Sequence, residues 1–173
     1  MGNFSNSILL PENLPEVDSK TFNRLDKSYL KIMFIRIVVL LLFMSGILMA
    51  ILFLAVDIPT FIVAILGGSA IVLITLFTSV ITVLGFPRKG YLVREQDISF
   101  QRGLITYKLT TVPFNRIQHV EVNQGVLAKM FRLSSVKLYT AGGSMSDLSI
   151  PGLPVSDAKR LKAFLSEKIS EHE

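Results

Sequence analysis

The chain of 173 residues contains no cysteine, no tryptophan and only two histidines. Without cysteine it can form neither disulfides nor thiolate metal sites. His119 and His172 are far apart, and no H-x-x-x-H, E-x-x-H or D-x-D spacing gathers metal ligands. A G-x-S-x-G nucleophile elbow and a Gly-Lys-Ser/Thr phosphate loop are missing too. We therefore expect a protein that is not an enzyme, with no catalytic residue, no metal and no cofactor.

Charge is absent from two long apolar runs, residues 37–56 and 61–86, neither of which contains Asp, Glu, Lys, Arg or His. A hydrocarbon core of roughly 30 Å needs about 20 helical residues, so each run can cross a bilayer. A helix on the surface of a soluble domain would keep a polar face, and these runs have none. The sequence predicts a transmembrane helical hairpin with a four-residue turn, residues 57–60.

The charges around the hairpin predict its topology. Asp57 is the only charged residue of the turn, whereas basic residues flank both outer ends: Lys27, Lys31, Arg36, Arg88, Lys89 and Arg94. Because cationic flanks stay in the cytoplasm, we expect a multi-pass protein with both termini and the C-terminal domain on the cytoplasmic side.

Small residues in the hairpin suggest how the two helices pack. Each run contains one glycine–alanine pair four residues apart: Gly46 with Ala50, and Ala64 with Gly68. Such pairs let helix backbones approach closely in membranes. Thr75, Ser79 and Thr82 give the second run a hydroxyl-bearing face, which could contact a partner helix or bond back to helical carbonyls. Because the runs contain no ionisable group, we do not expect a transport pathway.

Before the hairpin, residues 1–18 contain Pro11 and Pro15 and are predicted to be irregular. From Ser19 onward, apolar residues recur at helical spacing: Phe22, Leu25, Tyr29 and Ile32. This stretch is predicted to be a helix that either extends the first span or lies in the lipid interface.

After the hairpin the pattern changes to short alternating segments. Six strands are predicted, at residues 91–95, 98–102, 104–112, 117–123, 135–141 and 146–150. In the third, Ile105, Tyr107 and Leu109 should share one face. A short helical turn is predicted over residues 125–131. A final helix follows Pro154, with Ser156 as its cap. Its apolar stripe consists of Ala158, Leu161, Phe164, Leu165 and Ile169.

These segments divide the chain into three parts. Residues 1–36 form a partly helical cytoplasmic segment, residues 37–86 the transmembrane hairpin and residues 87–173 a cytoplasmic domain. Strands followed by one amphipathic helix predict an α+β, mainly β domain, a small barrel or curled sheet closed by the helix. About 85 residues suffice for one core.

The sequence resembles the YdbS-like bacterial pleckstrin-homology (PH) proteins over about residues 30–170. The resemblance rests on V-P-F-N-R-I-Q-H-V-E-V-N-Q-G at residues 112–125, F-R-L at residues 131–133 and L-Y-T-A-G-G at residues 138–143, all after two spans. It implies two antiparallel sheets closed by a C-terminal helix, in a bacterial cytoplasmic membrane. It also implies a membrane protein partner, possibly a larger family member with several such domains, or a homo-oligomer.

Within this motif, several residues are candidates for interaction or for structure. The candidate interaction residues are Arg116, Gln118, Gln124 and Arg132. The two glutamines could instead be buried and bond loop backbone. Gly125 should adopt a conformation closed to bulkier residues. Gly142 and Gly143 should form a turn, and His119 beside Glu121 should form an exposed contact.

Basic residues are enriched in residues 87–173, with 13 Lys or Arg against 8 Asp or Glu. Because they are spread rather than striped, we do not expect nucleic acid as a partner. A second set could gather at the membrane surface and bind anionic lipid: Arg88, Lys89, Arg94, Arg102, Lys108 and Lys129. Two hypotheses remain. The leading one is an assembly or adaptor module of a membrane complex, and the alternative is anionic lipid binding or sensing.

Overall fold

Two long helices, α1 (Ser28–Leu54) and α2 (Thr60–Gly85), pack against each other in the computed structural model, which describes residues 22–54, 59–140 and 148–171. Both are long and apolar enough to cross a membrane. Their side chains are largely exposed, as in Phe43 and Phe77, at 63% and 62%. Such an apolar exterior suits a lipid environment. The predicted hairpin is confirmed, but α2 already begins at Thr60, the last residue of the predicted turn. Asp57 and Ile58 lie outside the described residues.

Two hydroxyl groups of the predicted face of α2, those of Thr75 and Ser79, donate to carbonyl groups of the same helix. Thr75 Oγ1 donates a hydrogen bond to Ile71 O at 2.8 Å, and Ser79 Oγ donates to Thr75 O at 2.7 Å. Back-bonding of this kind removes the hydroxyls from competition for external partners. It agrees with a hairpin that serves as an anchor.

The close contact between α1 and α2 lies one residue away from its predicted place. A Cβ added at Gly46 or Gly68 would meet no atom within 4 Å, whereas one at Gly67 would lie 2.5 Å from Leu48 Cδ1. Ala50 is exposed and Ala64 is half-buried. A side chain of α1 thus lies within contact distance of an added Cβ at Gly67, and none does at Gly68. Adjacent glycines offer two helix faces about 100° apart, and the bulk of Leu48 selects Gly67.

The remaining chain forms two antiparallel sheets, as predicted for a PH-like domain. The first has the order β1 (Asn23–Arg24), β2 (Gly90–Val93), β3 (Asp97–Arg102) and β4 (Lys108–Pro113). The second has the order β5 (Ile117–Asn123), β6 (Leu133–Thr140) and β7 (Leu148–Pro154). The short helix α3 (Val126–Met130) links β5 to β6, and α4 (Val155–Ser170) packs across the second sheet.

The N-terminal part of this fold differs from the prediction. The helix expected from Ser19 begins at Ser28, whose N–H bonds Asp26 Oδ1 at 2.7 Å. The residues before it form β1, which pairs with β2. Phe22 and Leu25 are buried in the sheet domain. Their spacing therefore reflects burial in the sheet domain rather than one face of a helix.

The predicted third strand also starts later than expected, at Lys108. Gly103 has a φ of +116°, and the carbonyl oxygen of Thr106 occupies the position that a Cβ would take. The chain therefore turns between Gly103 and β4. Ile105 and Tyr107 lie on this turn at 76% and 64% exposure, so their predicted strand face is wrong.

The hydrophobic core lies between the sheets and α4. Ala158, Leu161 and Leu165 of the predicted stripe are buried, and Phe164 meets Phe114 edge to face, with ring centroids 6.0 Å apart. The predicted Ser156 cap is wrong, because the helix already begins after Pro154 and Ser156 Oγ bonds Asp157 Oδ1 instead. The closing helix itself is as predicted.

Candidate functional site

Both legs of the hairpin are joined tightly to the sheet domain. A 3-10 turn, Phe86–Arg88, leads from α2 directly into the first sheet. At the other leg, Tyr29 packs on Gly152 of β7, and the Asp26 N–H donates to Gly152 O at 3.0 Å. Ile32 of α1 is 2% exposed. The domain is therefore fixed relative to the helices by both sheets.

A cavity of about 380 Å³ opens where α2 meets the first sheet. We call it the juxtamembrane cavity, and its lining consists of Phe22, Arg24, Pro87, Arg88, Lys89, Gln101 and Tyr107. Gln101 is buried, and its Oε1 accepts a hydrogen bond from the Tyr107 hydroxyl at 3.4 Å. Arg88 Nη1 donates to Leu104 O at 3.1 Å, which ties the turn after β3 to the end of α2.

Lys89 is a half-buried cation in the lining of this cavity. Its Nζ lies 3.6 Å from Met33 Sδ and 5.9 Å from the centroid of the Tyr29 ring. Burial, followed by the positive charges of Arg102 and Arg36, lowers the pKa of Lys89 below 10.5. In the part of the chain that the structure describes, no carboxylate forms an ion pair with Lys89. The half-buried ammonium therefore lacks an anion.

The structure gathers only part of the predicted basic set. Arg88, Lys89 and Arg102 lie together, and Lys108 faces Arg102 in the β3–β4 register. Arg94 follows the other end of β2 and lies 3.8 Å from Asp97 in an ion pair. Lys129 lies apart from these residues, on α3. The set is therefore split between different parts of the domain.

The predicted basic set did not include two cations that the structure places near Lys89, Arg24 in the lining of the juxtamembrane cavity and Arg36 outside it. Arg24 reaches the cavity because β1 joins the first sheet. Arg36 directly precedes the first apolar run, and its position at the entry of a span was a signal for this location.

The candidate interaction residues do not form one patch. Arg116 and Gln118 are exposed near the start of β5, and Gln118 forms no hydrogen bond within the described ranges. Gln124 and Arg132 lie beyond its other end, beside α3. The prediction of a buried side chain is wrong for Gln118, because the strand is irregular between Ile117 and His119 and turns it outward.

Gln124 and its neighbour have structural explanations. Gln124 Nε2 donates to Leu133 O at 2.8 Å and so links the end of β5 to β6. Gly125 has a φ of −70° and a ψ of 170°, which any residue can adopt, so the expectation of a special conformation there is wrong. Arg132 instead has the positive φ of this segment, 54°. Gly142 and Gly143 lie outside the described residues.

An exposed network on the second sheet contains the predicted His119–Glu121 contact. His119 Nε2 lies 3.4 Å from Glu121 Oε1, and the Tyr139 hydroxyl donates to Glu121 Oε2 at 3.0 Å. That hydrogen bond raises the pKa of Tyr139. Across the described ranges, no group of three His, Cys, Asp or Glu residues could hold a metal ion. His172 lies outside those ranges.

Strand β4 presents an open edge. It pairs with β3 on one side, and no other strand among the described residues pairs with its second side. Leu109 is 40% exposed and Thr111 is exposed along this edge. The sequence could not show that β4 lies at the edge of its sheet, because side chains alternate in the same way in a central strand and in an edge strand.

A comparison with known proteins places these features in a family. The model of the bacterial PH domain family matches residues 32–169. The UPF0699 transmembrane protein YdbS of Bacillus subtilis (strain 168) is 34% identical over 113 residues, covering 62% of this chain and 66% of that protein. The UPF0699 transmembrane protein YdbT of the same strain is 21% identical over 103 residues, covering 59% of this chain and 21% of that protein.

The chain thus spans just under two thirds of the first relative and about a fifth of the second. No solved structure matches. The matched residues include most of α1, all of α2, strands β2 to β7 and nearly all of α4. The match therefore covers both the hairpin and the sheet domain.

Proposed function

We propose, since this chain belongs to the bacterial PH domain family of membrane proteins, that it is a non-enzymatic assembly module whose sheet domain binds a partner membrane protein. The observation that carries this proposal is the open edge of β4. An unpaired edge exposes backbone N–H and C=O groups, to which another chain can add a strand.

The edge of β4 has the features of a selective docking strand. It is six residues long, with Lys108 and Pro113 at its ends. Lysine and proline at strand edges suppress unspecific pairing. Between them, Leu109 offers an exposed apolar side chain, and alternate side chains give specificity in strand addition. The open segment therefore suits one defined partner strand.

The hairpin supports this role by holding the domain at a fixed height. Its two connections, at Tyr29 and at the Phe86–Arg88 turn, leave little freedom between membrane and domain. A fixed domain loses less orientational freedom on binding a neighbouring membrane protein. The anchor thus favours assembly within the membrane plane.

The partner that we propose is a longer membrane protein of the same family. YdbT supports this choice, because the matched 103 residues make up only 21% of it. The domain lies on the cytoplasmic side in this proposal. Support comes from the basic residues at the outer ends of the hairpin, such as Arg36 and Arg88, in accordance with the positive-inside rule.

In-membrane photocrosslinking tests the assembly role. A photoreactive amino acid replaces Leu109 on β4, and a matched control carries it at Lys162, which is exposed on α4. We expect position 109 to crosslink to a longer family member and position 162 not to do so. Crosslinks of equal strength from both positions, or none from position 109, would contradict the proposal. Crosslinks only to a second copy would contradict the proposed partner.

A further inference from the structure

Cations from separate segments of the chain converge on the juxtamembrane cavity. Arg24 comes from β1, and Arg88 and Lys89 come from the exit of α2. Burial of Lys89, followed by the nearby charges of Arg102 and Arg36, lowers the pKa of Lys89. Among the residues that the structure describes, no Asp or Glu lines the cavity. Like charges held together without an anion repel one another, so this arrangement favours a negatively charged ligand.

The cavity also contains an unused polar group. Gln101 is 6% exposed, and its Oε1 accepts from Tyr107. Its Nε2 has no hydrogen-bond partner among the residues that the structure describes, and it is not among the fully buried side-chain atoms. This donor and the guanidinium of Arg24 are both available to an acceptor within the cavity.

We infer that the juxtamembrane cavity binds the phosphate group of an anionic glycerophospholipid. Guanidinium groups match phosphate oxygens in a bidentate manner, and lysine adds a compact positive charge. Arg88 donates one hydrogen bond to Leu104 O. Its other N–H groups remain available to phosphate oxygens, because a guanidinium has five N–H groups. The volume of about 380 Å³ lies within the range of small-ligand sites, about 300–1,000 Å³.

The position of the cavity selects lipid as the source of that phosphate. Arg88 lies three residues after Gly85, the last residue of α2, and Arg36 directly precedes the first apolar run. Both ends of the hairpin thus place the cavity at the height of the headgroups. Because the protein is already anchored there, lipid phosphates are present at a high effective concentration. This inference does not depend on the open edge of β4.

A single tryptophan provides the test, because the chain has none. Ile105→Trp places the fluorophore on the exposed turn next to the cavity, at a residue that does not line it. The full chain is reconstituted in nanodiscs with increasing brominated phosphatidylglycerol or brominated phosphatidylcholine, and quenching is recorded. The test variant adds Arg88→Gln and Lys89→Gln. The control adds Lys159→Gln and Lys162→Gln on α4, which remove the same charge away from the cavity.

We expect half-maximal quenching by brominated phosphatidylglycerol to require roughly 30-fold more of that lipid in the test variant, since each lost cation weakens binding about fivefold. The control variant and the phosphatidylcholine series should stay unchanged. If the double variant does not fold, Arg24→Gln alone should give about a fivefold change. Equal quenching of the test and control variants would overturn the inference. If inorganic phosphate relieved the quenching by brominated phosphatidylglycerol as fully as the Arg88→Gln and Lys89→Gln substitutions do, free phosphate rather than lipid would be the source.

Discussion

Substitution of Gly152 should separate the N-terminal leg of the hairpin from the second sheet. Gly152 has a φ of +69°, and an added Cβ would lie 2.6 Å from Tyr29 Cγ and 2.7 Å from Tyr29 Cβ. The left-handed backbone costs alanine about 1–2 kcal/mol, and overpacking against a side chain adds about 1–3 kcal/mol. We therefore expect Gly152→Ala to lower the free energy of unfolding by about 2–5 kcal/mol.

Urea unfolding in detergent micelles, followed by circular dichroism, measures this change. Gly125→Ala is the matched control, because its φ is −70° and no atom lies within 4 Å of the added Cβ. It should be neutral or stabilise by up to about 1 kcal/mol. Adding Tyr29→Gly, which removes both the ring and the Cβ at 2.7 Å, to Gly152→Ala should recover the overpacking part, about 1–3 kcal/mol, as coupling in a double-mutant cycle. Equal stability of the two single glycine variants would refute the reasoning.

Three further predictions concern other parts of the molecule. Because the pKa of Lys89 is lowered below 10.5, the unfolded state binds more protons between that lowered value and 10.5, so stability should rise with pH in this window. The rise should vanish in Lys89→Met when urea unfolding is repeated across pH. Thr111→Val removes the 2.8 Å hydroxyl contact to Ser99, which is 1% exposed, and should cost about 1–3 kcal/mol in the same assay. Gly67→Ile should weaken helix packing more than Gly46→Ile, since only Gly67 faces a side chain closely. Fluorescence transfer between labels on the two helices should show this difference, and equal effects would contradict the contact.

Much of the fold could be predicted because its signals are strong and local. The apolar runs of α1 and α2 contain no charged residue, so they could be predicted as membrane-spanning helices without knowledge of tertiary contacts. Strand β5 was predicted at its observed bounds, and the stripe of α4 was predicted residue by residue. In these elements, periodicity and burial point to the same structure.

The errors arose where tertiary contacts override a local pattern. Phe22 and Leu25 have helical spacing, yet pairing with β2 places this segment in the first sheet. Ile105 and Tyr107 alternate like a strand, yet Gly103 turns the chain before β4. The juxtamembrane cavity was only partly predictable for the same reason. Arg24 lines the cavity because β1 pairs with β2, and no pattern in the sequence predicts this pairing.

Amide hydrogen exchange of β4 tests the assembly role most directly. In the isolated protein, the N–H groups on the open side of Lys108–Pro113 should exchange rapidly, because no strand among the described residues pairs with them. A partner that adds a strand would slow their exchange. The account predicts strong protection of β4 in the complex purified with the longer family protein, and little change at α4. Unchanged exchange along β4 in that complex would contradict it.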